Sequence, residues 1–105
     1  MKGPDRGEVW LVDLGYIGKV RPCVVLSIPV PDQDRALVTL IPHTTSPRGS
    51  RFEVEILNRF LQKGVFDAQN PVTIPHVKLV RKLGALSSAE LERIEEVVRL
   101  WLDLK

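Results

Sequence analysis

Two short stretches of the chain carry residues suited to handling an anion. In Lys19-Val20-Arg21-Pro22 a pair of cations runs straight into Cys23-Val24-Val25-Leu26, an apolar run that reads as a buried strand. Pro22 biases Arg21 toward extended backbone and has no amide hydrogen of its own. A guanidinium held there presents five donors in a planar fork that matches phosphate oxygens. The plainer alternative is an arginine paired with a carboxylate at a sheet edge. The second stretch is Pro42-His43-Thr44-Thr45-Ser46, followed by Arg48 and Arg51. Its imidazole, hydroxyl and guanidinium groups can bind an anion together with turn amides. The alternative there is an exposed turn, since Ser, Thr, Pro and Gly favour loops for conformational reasons. Adjacent antiparallel strands would bring the two stretches side by side.

Other chemistry finds little support. His43 and His76 are far apart and show no ligand spacing, so no metal site is expected. Neither a glycine-rich phosphate loop nor a nucleophile elbow is present. Cys23 lies within an apolar run with no base at a readable spacing, which suits structural burial. Trp10 on a strand and Trp101 on a helix stripe are explained by core packing.

The elements that must position these groups read as strands closed by a helix. Gly7–Leu14 is rich in β-branched and aromatic residues, and Gly15-Tyr16-Ile17-Gly18 forms a short loop after it. Pro22–Ser27 and Arg35–Pro42 follow as strands, separated by the turn residues Pro29-Val30-Pro31-Asp32. The polar stretch 43–50 is a loop by composition. Arg51–Leu57 alternates Phe52, Val54 and Ile56 with charged residues, as a strand with one wet face does. Gly64–Ala68 and Pro71–Ile74 are weaker strands, and Pro75–Lys82 reads as a helical turn and linker. Ser87-Ser88-Ala89-Glu90 is a capping box, and Leu86 and Leu91 have the spacing of a hydrophobic staple. Beyond it Leu91, Ile94, Val98 and Trp101 recur at helical spacing. A small curled antiparallel sheet sealed by one amphipathic helix is expected.

A chain of 105 residues with 44% hydrophobic content supports a single domain, spanning 1–105. Its net charge of +2 argues against a general polycationic coat and leaves room for a local basic patch. No run has membrane-spanning length, MKGPDRGE lacks the apolar core of a signal peptide, and one cysteine cannot form an internal disulfide. The expectation is a cytoplasmic protein that makes no membrane contact.

The succession GEVWLVDL, RPCVVLS, IPHTTS, RFEVEI, GVFDAQ and LGALSSAELERIEEVVRLWL resembles the MazF/PemK family of toxin endoribonucleases from bacterial type II toxin–antitoxin pairs. It covers the chain from about Arg6 to Leu104, and the coupling of "RP" to "PHTT" and the closing helix carries it. The resemblance implies a mainly β fold, an SH3-like, partly open barrel with a C-terminal helix, in a homodimer. It implies metal-independent, cofactor-free cleavage of single-stranded RNA, messenger RNA above all, and a cognate antitoxin that silences it. The family's catalytic arginine falls on Arg21 and its catalytic threonine on Thr44. Lys19, His43, Thr45, Ser46, Arg48 and Arg51 are then the residues expected to bind RNA. One departure is the loop 15–20, shorter than in many members and without their Gly-x-Glu-Gln element. Two other functions share the fold: a catalytically inactive module that binds RNA or antitoxin, and a gyrase-poisoning toxin. Arg21 and Thr44 would have no purpose in the latter.

Overall fold

The computed structural model describes residues 3–15 and 20–105. Along them run β1 (Glu8–Asp13), β2 (Val20–Val25), β3 (Leu37–Thr44), β4 (Glu53–Val54), β5 (Val65–Asp67), β6 (Val72–Pro75), β7 (Leu79–Ala85) and α1 (Ser88–Leu102), with a 3-10 turn at His76–Lys78. The strands lie in the order β4-β5-β3-β2-β1-β7, and β6 joins β3. All of the pairings are antiparallel. Because β4 and β7 remain as edges, the sheet curls without closing.

β3 organises the sheet by changing partners along its length. Leu37–Leu40 pair with β6, Leu40–Pro42 with β2, and His43 and Thr44 with β5. Its apolar run and that of β2 have no polar alternation because both of their faces are buried. On one face Val24 and Ile41 join Val9, Val54, Phe66, Ile94 and Val98 beneath the helix. On the other, Cys23, Val25, Val38 and Leu40 pack with Val12. A strand covered on both sides reads as continuous hydrophobic sequence rather than as a period of two.

The helix forms as its cap predicts. The Ser87 hydroxyl accepts from the Glu90 amide at 3.1 Å, and the Glu90 carboxylate accepts from the Ser87 amide at 2.9 Å. Ile94 and Val98 are its buried residues, each side chain contributing about 1.5–3 kcal/mol of hydrophobic stabilisation. The apolar stripe does not stay buried to the end. Trp101 is 42% exposed and sits edge-on to Phe52, with ring centroids 5.2 Å apart. No helix among the described residues is long and apolar enough to cross a membrane.

Of Pro75–Lys82, expected as a helical turn and linker, His76–Lys78 form the turn, while from Leu79 the chain is already in a strand that runs to Ala85. β7 pairs with β1 through two register shifts, so its inward residues Leu79 and Leu83 reach different clusters and no simple alternation appears. Its exposed Arg81 and Lys82 suit an edge, where charge discourages pairing with another chain.

Candidate active site

β2 and β3 are paired from Val25↔Leu40 to Cys23↔Pro42, and there the ladder stops. Pro22 has no amide to continue it. β2 goes on alone against β1, through Val12↔Arg21 and Asp13↔Val20, while β3 turns to β5 through His43↔Phe66 and Thr44↔Val65. Continued in register, the interrupted ladder would have set Arg21 opposite Thr44. The two strands instead part around those residues, and a cleft of about 380 Å³ opens between them. Arg21 and Thr44 both line it, with Ser46, Arg48, Glu53 and Asp67. The proline noted in the sequence thus both extends Arg21 and creates the opening it faces.

Thr44 ends β3 instead of beginning a loop, so its position is set by the sheet. Its Oγ1 accepts the Ser46 amide at 3.1 Å, which leaves the hydroxyl hydrogen to donate into the cleft. Arg21 is exposed, and its guanidinium has no hydrogen-bond or ion-pair partner among the described residues. The sheet-edge salt bridge offered as its alternative role is therefore not formed there.

The loop after Thr44 is tied down by Glu53. Its carboxylate accepts the amides of Arg48 and Gly49 at 2.9 Å and of Ser50 at 3.1 Å. These bonds, that of Arg48 foremost, hold the carboxyl below the usual carboxylate range. Gly49 has φ +82°, a left-handed conformation that glycine adopts without strain. Arg48 is thereby brought to the cleft rim.

His43 lies beneath the opening. It is 2% exposed, packs edge-on to Phe66 with centroids 5.0 Å apart, and leaves Nε2 without a hydrogen-bond partner. Burial pushes its pKa below the ordinary 6.5. Thr45 points the other way from Thr44, toward a second cleft that also borders Arg21. Arg51 lines neither cleft, its guanidinium sitting 4.7 Å above the Phe52 ring. Residues 16–19, Lys19 among them, lie outside the described residues.

With this geometry in place, comparison with known proteins is decisive. Residues 5–102 match the model of the PemK-like, MazF-like toxins of type II toxin–antitoxin systems. The chain belongs to that family. It is 29% identical to endoribonuclease MazF9 of Mycobacterium tuberculosis, over 94% of this chain and 96% of that one. It is 31% identical to the probable endoribonuclease MazF5 of the same organism, over 95% and 94%. Among solved structures, a mycobacterial endoribonuclease in complex with its cognate antitoxin superposes with a TM-score of 0.83 at 26% identity, covering 98% of both chains. MazF of Deinococcus radiodurans superposes with a TM-score of 0.84 over 99% of this chain and 100% of that one, and at 21% identity this concerns the fold alone.

Of the residues singled out in the sequence, Thr45 borders the second cleft alone, whereas Arg21, His43, Thr44, Ser46 and Arg48 line the first, whose acids the sequence did not announce. Glu53 and Asp67 line it with Asn70, and Arg81 stands at the second cleft. Asp67 was visible only as part of "GVFDAQ". Its place beside Thr44 comes from the β3–β5 pairing, which no local pattern announces.

Proposed function

We propose that this chain is the toxin of a type II toxin–antitoxin pair and cuts single-stranded RNA at the cleft between Arg21 and Thr44. The observation that carries this is the meeting of an unpartnered guanidinium and a free hydroxyl donor in one opening. The ribose 2′-oxygen attacks the adjacent phosphorus and the bond to the 5′-oxygen breaks, giving a 2′,3′-cyclic phosphate and a 5′-hydroxyl end. Negative charge grows on the non-bridging oxygens, where fixed donors contribute most. Arg21 and Thr44 supply those donors, and Arg48 and Ser46 hold the strand at the rim. The reaction so described uses no metal or other cofactor.

The 2′-proton needs an acceptor. A guanidinium offers donors and no acceptor, which excludes Arg21. Glu53 is committed to three amides, and His43 is only 2% exposed, with its Nε2 buried. Asp67 remains: among the described residues its side chain takes only the Gln69 amide, on Oδ1 at 3.2 Å, and it lines the cleft. We assign it as the base, with solvent in the open cleft returning a proton to the leaving oxygen.

In this reading messenger RNA in the cytoplasm is the substrate, the chain works as a homodimer, and an acidic antitoxin segment neutralises Arg21 and Arg48 by covering them. The test is incubation of purified protein with a long single-stranded RNA in EDTA, with the ends of the fragments mapped. Cutting should survive chelation, and Arg21→Ala, Thr44→Ala and Asp67→Asn should each lose most of it while melting like the parent. Parent-like cutting by the first two variants would remove the site assignment. RNA binding without any cutting by the parent would favour an inactive binding module.

A further inference from the structure

The second cleft shares Arg21 with the first but differs in chemistry. It has a volume of about 390 Å³ and is lined by Arg21, Arg81, Thr45, Gln62, Phe60 and Leu83, among others. None of its lining residues is acidic, whereas Glu53 and Asp67 line the first. Neither of its guanidiniums has a hydrogen-bond or ion-pair partner among the described residues. Arg81 arrives from the edge strand β7, opposite Leu11, one residue from Val12, which pairs with Arg21 on the other side of β1. The Phe60 ring is half-buried, lying so close over Gly84 that a Cβ there would come within 2.6 Å of it. Gln62 is exposed beside it and offers both a donor and an acceptor.

We propose that this cleft is a nucleotide subsite for the residue neighbouring the cut, a proposal that rests on the RNA-cleaving reading above. A chain whose scissile phosphate lies at Arg21 continues into the second cleft. There the flanking phosphate meets Arg81, the base lies against Phe60 and Leu83, and Gln62 faces its polar edge. Aromatic faces accept any base, and the hydrogen-bonding edge adds preference. The volume is at the small end of ligand clefts and suits one splayed base better than a duplex. An acidic polypeptide would use the two arginines but would gain little from an aromatic wall. RNA uses both.

The experiment measures binding of a short, fluorescein-labelled, mixed-sequence 2′-O-methyl RNA, whose blocked 2′-oxygen cannot attack, by anisotropy over a salt series. Cleavage of the unmodified RNA is followed in parallel. Arg81→Gln should weaken binding and make the salt dependence shallower by roughly 0.7 in log–log slope, the value of one single-strand phosphate contact. It should raise KM and leave kcat in place. Phe60→Leu, which keeps an apolar side chain against Gly84, should weaken binding about tenfold with an unchanged slope. If the parent binds and cuts while both variants match it, the subsite is wrong and the RNA-cleaving reading stands. If the variants lower kcat at constant KM, the cleft serves the chemistry, and the subsite is again wrong. Loss confined to binding of a poly-glutamate peptide would replace RNA with an acidic polypeptide. A parent that neither binds nor cuts RNA would remove the functional reading and this inference together.

Discussion

Gly64→Ala should disable the candidate site without touching any group that does chemistry. Gly64 precedes β5 and lies against the end of β3, and its backbone is not among those with positive φ. Glycine is required there for space. A Cβ would overlap the Thr44 carbonyl oxygen, lie 3.0 Å from the Thr44 carbonyl carbon, and come within 2.8 Å of His43 Cε1. Carbon atoms in contact prefer about 3.5–4.0 Å, so the end of β3 must retreat by roughly 0.5–1 Å. Two effects follow. Overpacking of this kind costs roughly 1–3 kcal/mol, and each kcal/mol lowers Tm by roughly 4–8 °C in a domain of this size. Thr44 moves with the strand, and a displacement of about 1 Å at a reacting centre costs on the order of 10²-fold in rate. Calorimetry gives the first number, and single-turnover cleavage at saturating RNA gives the second. A lower Tm with parent-like kcat would break the link between Gly64 and Thr44. A parent-like Tm would show that the packing argument itself is mistaken.

The remaining predictions concern stability. Burial lowers the His43 pKa, so below about pH 6.5 the unfolded chain binds a proton that the folded chain refuses. That contribution is fully present above pH 6.5 and is lost as pH falls from there toward the lowered folded value. His43→Leu should flatten this decline in urea midpoints measured between about pH 5 and 7, and an unchanged decline would assign it to another group. Ser87→Ala removes one half of the capping box and should cost about 1 kcal/mol, read as a lower urea midpoint at constant m-value. No shift in the midpoint would show that the helix end is held by its packing alone.

What could be read from the sequence was whatever has a local cause. The helix was legible because its cap, staple and stripe lie within a few residues of one another. Arg21 stood out because Pro22 follows it. Thr44 was harder: its polar neighbours suggested a loop, yet pairing with β5 carries the strand through it. β7 was lost because its two register shifts with β1 break the alternation and its charges suit an edge. Glu53 looked like one wet residue of a strand, while its role is to gather amides from a loop that precedes it. Trp101 fell on the apolar stripe by spacing alone, and the fold provides no core to cover it at that end of the helix. For Thr44 and β7 the deciding contact joins segments that no periodicity connects.

The parting of β2 and β3 has a last consequence. It arises from an amide that proline never had, so no backbone bond between β2 and β3 must be broken for a guest to enter the gap. On the function proposed above, restraint then comes from outside, as a partner that plugs the gap.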